Sequence, residues 1–342
     1  MKIAIHNGTG LNEKSIKYCE ANGLNYITVD AYSADIIEYL KNENVTHFLW
    51  HFNHNLPEDI LMARNVLYSL GSCDIKVYPD FNTGWYFDDK VAEKYILEAI
   101  DAPVVKSWPF YHKDTAMKWL RDEAEYPIVA KLRRGAGSYN VVLLKNFRQA
   151  KKYCNKMFSS GLSPAPKILA DVSTKLKVSR KRGDVLNRLK RLPNFVKYMT
   201  HARKQFPKEK GYVYFQEFIA GADCDYRIVV VGDRAWGSMR KVRENDFRAS
   251  GAGMSYEDPT LIPEFLVKVA FDIQKRLKAQ SMSFDFVLDK EGNPHIVEIS
   301  YCFGFDGGDG SFYWNRELEL VHEDFTLEEL ILEQFLKDHN NN

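Results

Sequence analysis

The sequence predicts a mixed α/β protein of two or three domains, and three observations carry that expectation. At 342 residues the chain exceeds what one hydrophobic core usually serves. Its first eighty residues alternate short β-rich runs with amphipathic stretches, the pattern of a small parallel sheet. The later chain instead carries β-rich runs joined by short glycine-containing turns, the pattern of antiparallel hairpins.

In order, KIAIH (2–6), NYITVD (25–30), THFLWHF (46–52) and DIKVYP (74–79) read as strands. Between them lie helices at Asn12–Asn22, Ala34–Asn42 and Pro57–Leu70, the last with proline in its first turn. The GTG at 8–10 is too short for a dinucleotide fingerprint. YFDDKVAEKYILEAIDAP (86–103) predicts a helix capped by Asp88 or Asp89, burying Val91, Tyr95, Ile96 and Ala99 and ending before Pro103. YPIVAKLRRGAGSYNVVLL (126–144) predicts a hairpin. Residues 163–210 hold 14 Lys and Arg against three acidic residues and predict a basic, partly helical insertion. Order is expected again in YVYFQEFI (212–219), RIVVVG (227–232) and RAWGSMRKV (234–242), followed by a helix at 260–279 and a hairpin at 284–300. A glycine-rich loop (303–311) and a helix (326–337) follow. The domains expected are 1–85, 86–215 with the insertion, and 216–342.

Composition narrows the class. With 45% hydrophobic and 27% charged residues the chain is globular, and a net charge of +1 argues against a coat for nucleic acid. The N-terminus lacks the apolar stretch of a signal peptide, and no run approaches the ~20 residues of a membrane span. Five scattered cysteines without a CxxC pair suit reduced thiols. The expectation is a soluble cytoplasmic protein, its oligomeric state left open.

Three constellations carry chemistry. Lys131 lies in an apolar strand, where an ammonium is costly unless it meets an anion. Gly135-Ala136-Gly137-Ser138 follows, and small residues there let backbone N–H groups wrap a polyphosphate. An ordinary basic hairpin would look the same. In the hairpin at 284–300, the turn DKEGNP (289–294) sets Asp285 roughly opposite Glu298, with Ser300 on the face of Glu298. Two such carboxylates repel unless a cation lies between them, and oxygen ligands suit Mg²⁺. An edge carboxylate facing solvent is the alternative. In RKVRENDFRAS (240–250), Arg240 and Arg248 offer forks for phosphate or carboxylate oxygens, unless both are simply solvated.

In this order the pieces resemble the ATP-grasp superfamily over residues 1 to about 300. The branch most similar is that of ribosomal-protein glutamate ligases and related amino-acid ligases. The resemblance implies an N-terminal parallel α/β pre-ATP-grasp domain and two α+β subdomains clasping ATP. Asp89-Lys90 resembles the stretch with the first ATP-contacting lysine. VAKLRRGAGSYNV resembles the second lysine strand and its phosphate loop, which implies that Lys131, Gly135, Gly137 and Ser138 hold phosphates. YFQEFIAGADCDYRIVVVGDR is similar to the hinge strand. Glu217, Phe218 and Ile219 would then hold adenine, Asp225 the ribose, and Arg227 would join the nucleotide site. MRKVRENDFRAS implies catalytic roles for Arg240 and Arg248 on the phosphoryl group and acyl phosphate. FDFVL…HIVEIS implies Asp285, Glu298 and Ser300 as magnesium ligands, with serine where the family usually has asparagine.

The activity so implied is ATP-dependent ligation of a carboxylate to an amine through an acyl phosphate, with ATP and Mg²⁺ as cofactors. A kinase of the same fold, or a nucleotide-binding regulator, are the alternatives. The loop CFGFDGGDGSFYW (302–314) offers Asp306, Asp309, Tyr313 and Trp314 for a polyol or an ammonium group, or simply packs its aromatics. This tail is similar to ATP-grasp proteins of bacterial surface polysaccharides, which implies a sugar carboxylate as substrate. The insertion would suit an anionic acceptor, or is a solvated excursion; it carries no RNA-binding motif.

Overall fold

The computed structural model describes residues 1–8, 10–52, 56–135, 140–164, 207–242, 255–303 and 310–337. Residues 165–206 of the basic insertion, Gly137, Ser138, Arg248, Asp306 and Asp309 lie outside the described residues.

The alternating pattern of the first eighty residues forms a four-stranded parallel sheet in the order β2-β1-β3-β4. Its strands are β1 (Ile3–His6), β2 (Tyr26–Val29), β3 (His47–Leu49) and β4 (Lys76–Tyr78). Helices α1 (Leu11–Ala21), α2 (Ile36–Asn42) and α3 (Pro57–Leu70) make the crossovers, and the short α4 (Phe81–Gly84) follows β4. The strands are shorter than their apolar runs because the outer residues enter the loops.

A second, antiparallel sheet follows the order β5-β8-β6-β7. It comprises β5 (Ser107–Phe110), β6 (Ile128–Lys131), β7 (Val142–Leu144) and β8 (Val213–Glu217). Helices α6 (Lys113–Asp122) and α7 (Phe147–Met157) belong to this part of the chain. Its core includes Trp119, whose ring stacks on Phe215 with centroids 5.8 Å apart.

The third sheet is antiparallel, in the order β13-β12-β9-β10-β14-β15, with β11 also on β10. Its main strands are β9 (Cys224–Val231), β10 (Arg234–Lys241), β12 (Ser281–Leu288) and β13 (Pro294–Ser300). The shorter ones are β11 (Ser255–Tyr256), β14 (Tyr313–Trp314) and β15 (Leu320–Val321). Helices α8 (Glu264–Leu277) and α9 (Leu327–Lys337) complete it.

The first and third sheets share one apolar core. Gln280 fastens them: its side chain accepts from Asp80 N at 2.9 Å and donates to Val77 O at 3.0 Å, and its backbone N donates to Thr83 Oγ1 at 2.8 Å. Tyr78 Oη lies 2.6 Å from Ser281 Oγ. All five cysteines are free, and among the described residues no helix is long and apolar enough to cross a membrane.

The helix α5 (Lys90–Ala99) corrects one expectation. Asp89 caps it, accepting from Val91 N and Ala92 N at 3.2 Å each. It buries Lys90, Val91, Glu93, Lys94 and Leu97, whereas Tyr95 is 48% exposed and Ala99 is exposed. The apolar count pointed to another face because partners elsewhere in the chain draw Lys90 and Glu93 inward.

Close packing of β9 on β10 depends on Gly237. A Cβ there would lie 2.6 Å from Arg227 O and 2.7 Å from Ile228 Cδ1. Gly237→Ala is expected to lower unfolding stability by about 1–3 kcal/mol, the usual cost of overpacking, as measured by urea denaturation.

Candidate nucleotide and metal site

Period-two alternation brings the polar residues of the third sheet onto one face. Asp225 and Arg227 are two apart on β9, and Glu298 and Ser300 are two apart on β13. The register sets Ser238 opposite Arg227, Arg227 opposite Asp285, and Asp285 opposite Glu298, a single row across four strands. Arg240 stands opposite Asp225 in the adjacent row.

Ion pairs join these residues. The Arg227 fork spans Asp285, with Nε to Oδ1 at 2.8 Å and Nη2 to Oδ2 at 2.9 Å. Arg240 spans Asp225 at 2.6 and 2.7 Å, and its Nη2 also reaches Asp285 Oδ2 at 2.8 Å. Burial would push the Asp285 carboxyl up, but Arg227 and Arg240 outweigh it and hold the group below the usual carboxylate range. Burial and the neighbouring Asp285 push Asp225 upward despite Arg240.

The opposite wall comes from α5 and β6. Lys90 is 5% exposed; its Nζ donates to Glu298 Oε1 at 3.2 Å and to Gly135 O at 3.0 Å. Glu298, Glu93 and Asp88 raise its pKa although burial works the other way. Glu93, 4% exposed, accepts from Ile299 N at 3.3 Å and so reaches β13 from the helix. Asp88 accepts from Gly135 N at 2.9 Å. Gly135 has φ 122°, a conformation open to glycine and strained for other residues.

Lys131 closes the cleft. A bulge in the β12–β13 ladder leaves Val297 without a partner, since Phe286 pairs with Ile296 and Asp285 with Glu298. The Val297 carbonyl accepts from Lys131 Nζ at 3.2 Å. Burial lowers the Lys131 ammonium to about 8, with Glu298 opposing the shift and Lys90 adding to it. This is an amine short of an anion.

Other expected residues stand at the end of β8 or have their groups already engaged. Glu217, Phe218 and Ile219 are half-buried at the end of β8, and Glu217 N donates to Lys106 O at 2.9 Å. Asp225, expected at a ribose, has both oxygens on Arg240. Ser300 Oγ accepts from Cys302 N at 3.2 Å. Tyr313 and Trp314 form β14, with Tyr313 Oη on Glu323 at 2.8 Å and Trp314 buried. Sequence reasoning missed Glu93 and Asp88; the acidic residue one turn after Lys90 was the available signal for Glu93.

Asp285 and Glu298 are hard oxygen donors facing each other, which fits Mg²⁺. Among the described residues no group of three or more His, Cys, Asp or Glu is placed to hold a metal.

Residues 197–320 match the RimK-like ATP-grasp domain family. No curated protein matches the chain in sequence. Among solved structures, D-cycloserine synthetase is similar with a TM-score of 0.59 at 10% identity, 99% of each chain being covered. D-alanine–D-alanine ligase from Bacillus anthracis, complexed with ATP, gives 0.54 at 12% identity, covering 100% of this chain and 98% of that one. Biotin carboxylase from Campylobacter jejuni gives 0.55 at 14% identity, covering 89% of this chain and 65% of that one. The chain spans 64% and 65% of the length of the two biotin carboxylase structures it matches. These likenesses establish the fold: the chain has the ATP-grasp fold.

Burial raises the Glu93 carboxyl above its ordinary range. A raised acid stabilises the fold below its unfolded pKa and loses that contribution as pH rises through its folded pKa. Glu93→Gln keeps an acceptor for Ile299 N without the titration. The melting temperature of the variant relative to wild type is therefore expected to be higher at pH 9 than at pH 5, read by thermal scans at both.

Proposed function

We propose that this ATP-grasp chain is an ATP-dependent carboxylate–amine ligase that activates its carboxylate as an acyl phosphate. The observation that carries the reading is the Asp285–Glu298 pair on one wall of a cleft, with Lys90 and Lys131 projecting from the other. D-alanine–D-alanine ligase, a structural neighbour, is named for the same kind of bond.

In this reading the hinge backbone at Glu217 to Ile219 holds the adenine, beside Asp225. Lys90, Lys131 and Gly135 meet the phosphates, and the reading extends to Gly137 and Ser138, which lie outside the described residues. Asp285, Glu298 and Ser300 would hold Mg²⁺, which supplies charge stabilisation on the transferring phosphoryl group. Arg240, and Arg248 beyond the described residues, stabilise charge as the substrate carboxylate attacks the γ-phosphate and ADP departs. An amine then displaces phosphate, giving the amide. Water excluded from the closed cleft cannot hydrolyse the acyl phosphate. The aromatic and acidic loop at 302–314 favours a sugar carboxylate, joined to an amino acid or amine in surface-polysaccharide synthesis. The insertion at 163–210 would hold an anionic acceptor. In domain terms, residues 86–215 would supply Lys90, Lys131 and the hinge, and residues 216–342 the carboxylates, with 1–85 as the N-terminal domain.

The test is ADP release screened over sugar acids and amino acids, singly and in pairs. A ligase requires one acid–amine pair, and Glu298→Ala abolishes turnover. A stable phosphorylated product formed without amine identifies a kinase instead and overturns the proposal.

A second expectation concerns pH. The Lys131 ammonium of the free protein titrates near 8, and a polyphosphate binds only its charged form. ADP affinity should fall above that pH, by about tenfold at pH 9 for a group half-titrated at 8. Calorimetry in buffers of different ionisation enthalpy should show proton uptake on binding at pH 9.

A further inference from the structure

Both carboxylates of the metal face arrive already neutralised by side chains. Glu298 meets Lys90, and Asp285 meets Arg227 and Arg240. The two arginines differ in their freedom. Arg240 is anchored through its fork on Asp225, and its side chain is 12% exposed. Arg227 is 32% exposed, and among the described residues Asp285 is its one ion-pair partner. Arg227 can therefore leave toward solvent, whereas Arg240 stays.

We infer that Arg227 is an exchangeable counter-cation for Asp285: it occupies both carboxylate oxygens in the metal-free chain and gives them up when a divalent cation arrives with nucleotide phosphates. This inference rests on the ligase reading of the site. The physical reason is charge balance. A metal ion entering alone would have to displace a bidentate guanidinium and leave that cation without an anion beside a face still holding Arg240, Lys90 and Lys131. An ion entering with phosphates brings new anions to which Arg227 can transfer, so the exchange keeps the cleft close to neutral. Metal and nucleotide then bind with positive coupling, and the coupling is reciprocal. The free protein holds the metal weakly by itself, which guards against filling the site with an ion that lacks its phosphates.

The experiment is Mn²⁺ titration of the nucleotide-free protein, followed by electron paramagnetic resonance of the unbound ion. Arg227→Gln is expected to tighten Mn²⁺ by tenfold or more over wild type. Adding Asp285→Asn to Arg227→Gln is expected to return the affinity to the wild-type value, because the liberated carboxylate is then gone. If Arg227→Gln binds Mn²⁺ no more tightly than wild type, or if the gain survives Asp285→Asn, the inference is overturned. ADP binding to the wild-type protein, measured separately by calorimetry with Mg²⁺, distinguishes that outcome from failure of the ligase reading. ADP binding retained leaves the ligase reading standing; ADP binding absent removes it and the inference together. Should Arg227→Gln fail to fold, Arg227→Lys supplies the same test. A lysine cannot span both oxygens, so a Mn²⁺ affinity unchanged from wild type in that variant overturns the inference.

Discussion

Charge neutrality in a closed space is the condition on which the cleft depends. Lys90, Lys131, Arg227 and Arg240 are set among Glu93, Asp225, Asp285 and Glu298, and five of these eight are buried. An unpaired ion there would cost several kcal/mol, so each charge must have its opposite within reach or shift its protonation. Asp285 takes the first course, and its carboxyl is held low between two guanidinium groups. Lys131 takes the second: its ammonium donates to a neutral carbonyl, that of Val297, and is easily lost. A site of this kind has stability with little surplus, and one end of it is prepared for an additional anion.

Holding those charges together requires two sheets to stay aligned, and one stretch of backbone does much of that. Residues 103–105 lie along the outer edge of β13, with Ile296 N donating to Pro103 O at 2.7 Å and Val105 N donating to Ile296 O at 3.1 Å. The same chain then gives Lys106 O to Glu217 N and continues as β5, paired to β8. It fastens β13 to β8. The bulge at Val297 lies immediately beyond this attachment and frees the carbonyl that Lys131 uses. Edge pairing, bulge and lysine are thus one device, in which an irregular ladder supplies the contact between sheets.

The parts legible in the sequence were those governed by local periodicity. Alternation in FDFVL and HIVEIS, with a short turn between them, was enough to set Asp285 against Glu298. The strand–helix alternation before residue 80 was enough for a parallel sheet. Long-range pairing left no such trace. Nothing in the spacing of Asp225, Arg227 and Arg240 shows that Arg240 bridges two acids. Nor does it show that Glu93 must turn inward to hold Ile299 N. The face of α5 was misread for the same reason: Lys90 and Glu93 are buried by partners some 200 positions away in sequence.

Ser300 shows how little room the site leaves for further ligands from the protein. Its hydroxyl oxygen accepts from Cys302 N and its carbonyl accepts from Ser283 Oγ at 2.9 Å, so both oxygens are tied into the end of the hairpin. A neutral hydroxyl already accepting a hydrogen bond is a poor competitor for a hydrated Mg²⁺ beside two carboxylates. Under the proposed reading Ser300 is then the weakest of the three ligands, and most of the ligation would fall on Asp285 and Glu298, the two side chains that carry counter-cations in the free chain. Weak protein ligation and occupied carboxylates act in the same direction. Under the proposed reading both would make the phosphates the stronger half of the metal's ligands, so that selection for the metal and selection for its nucleotide become a single event.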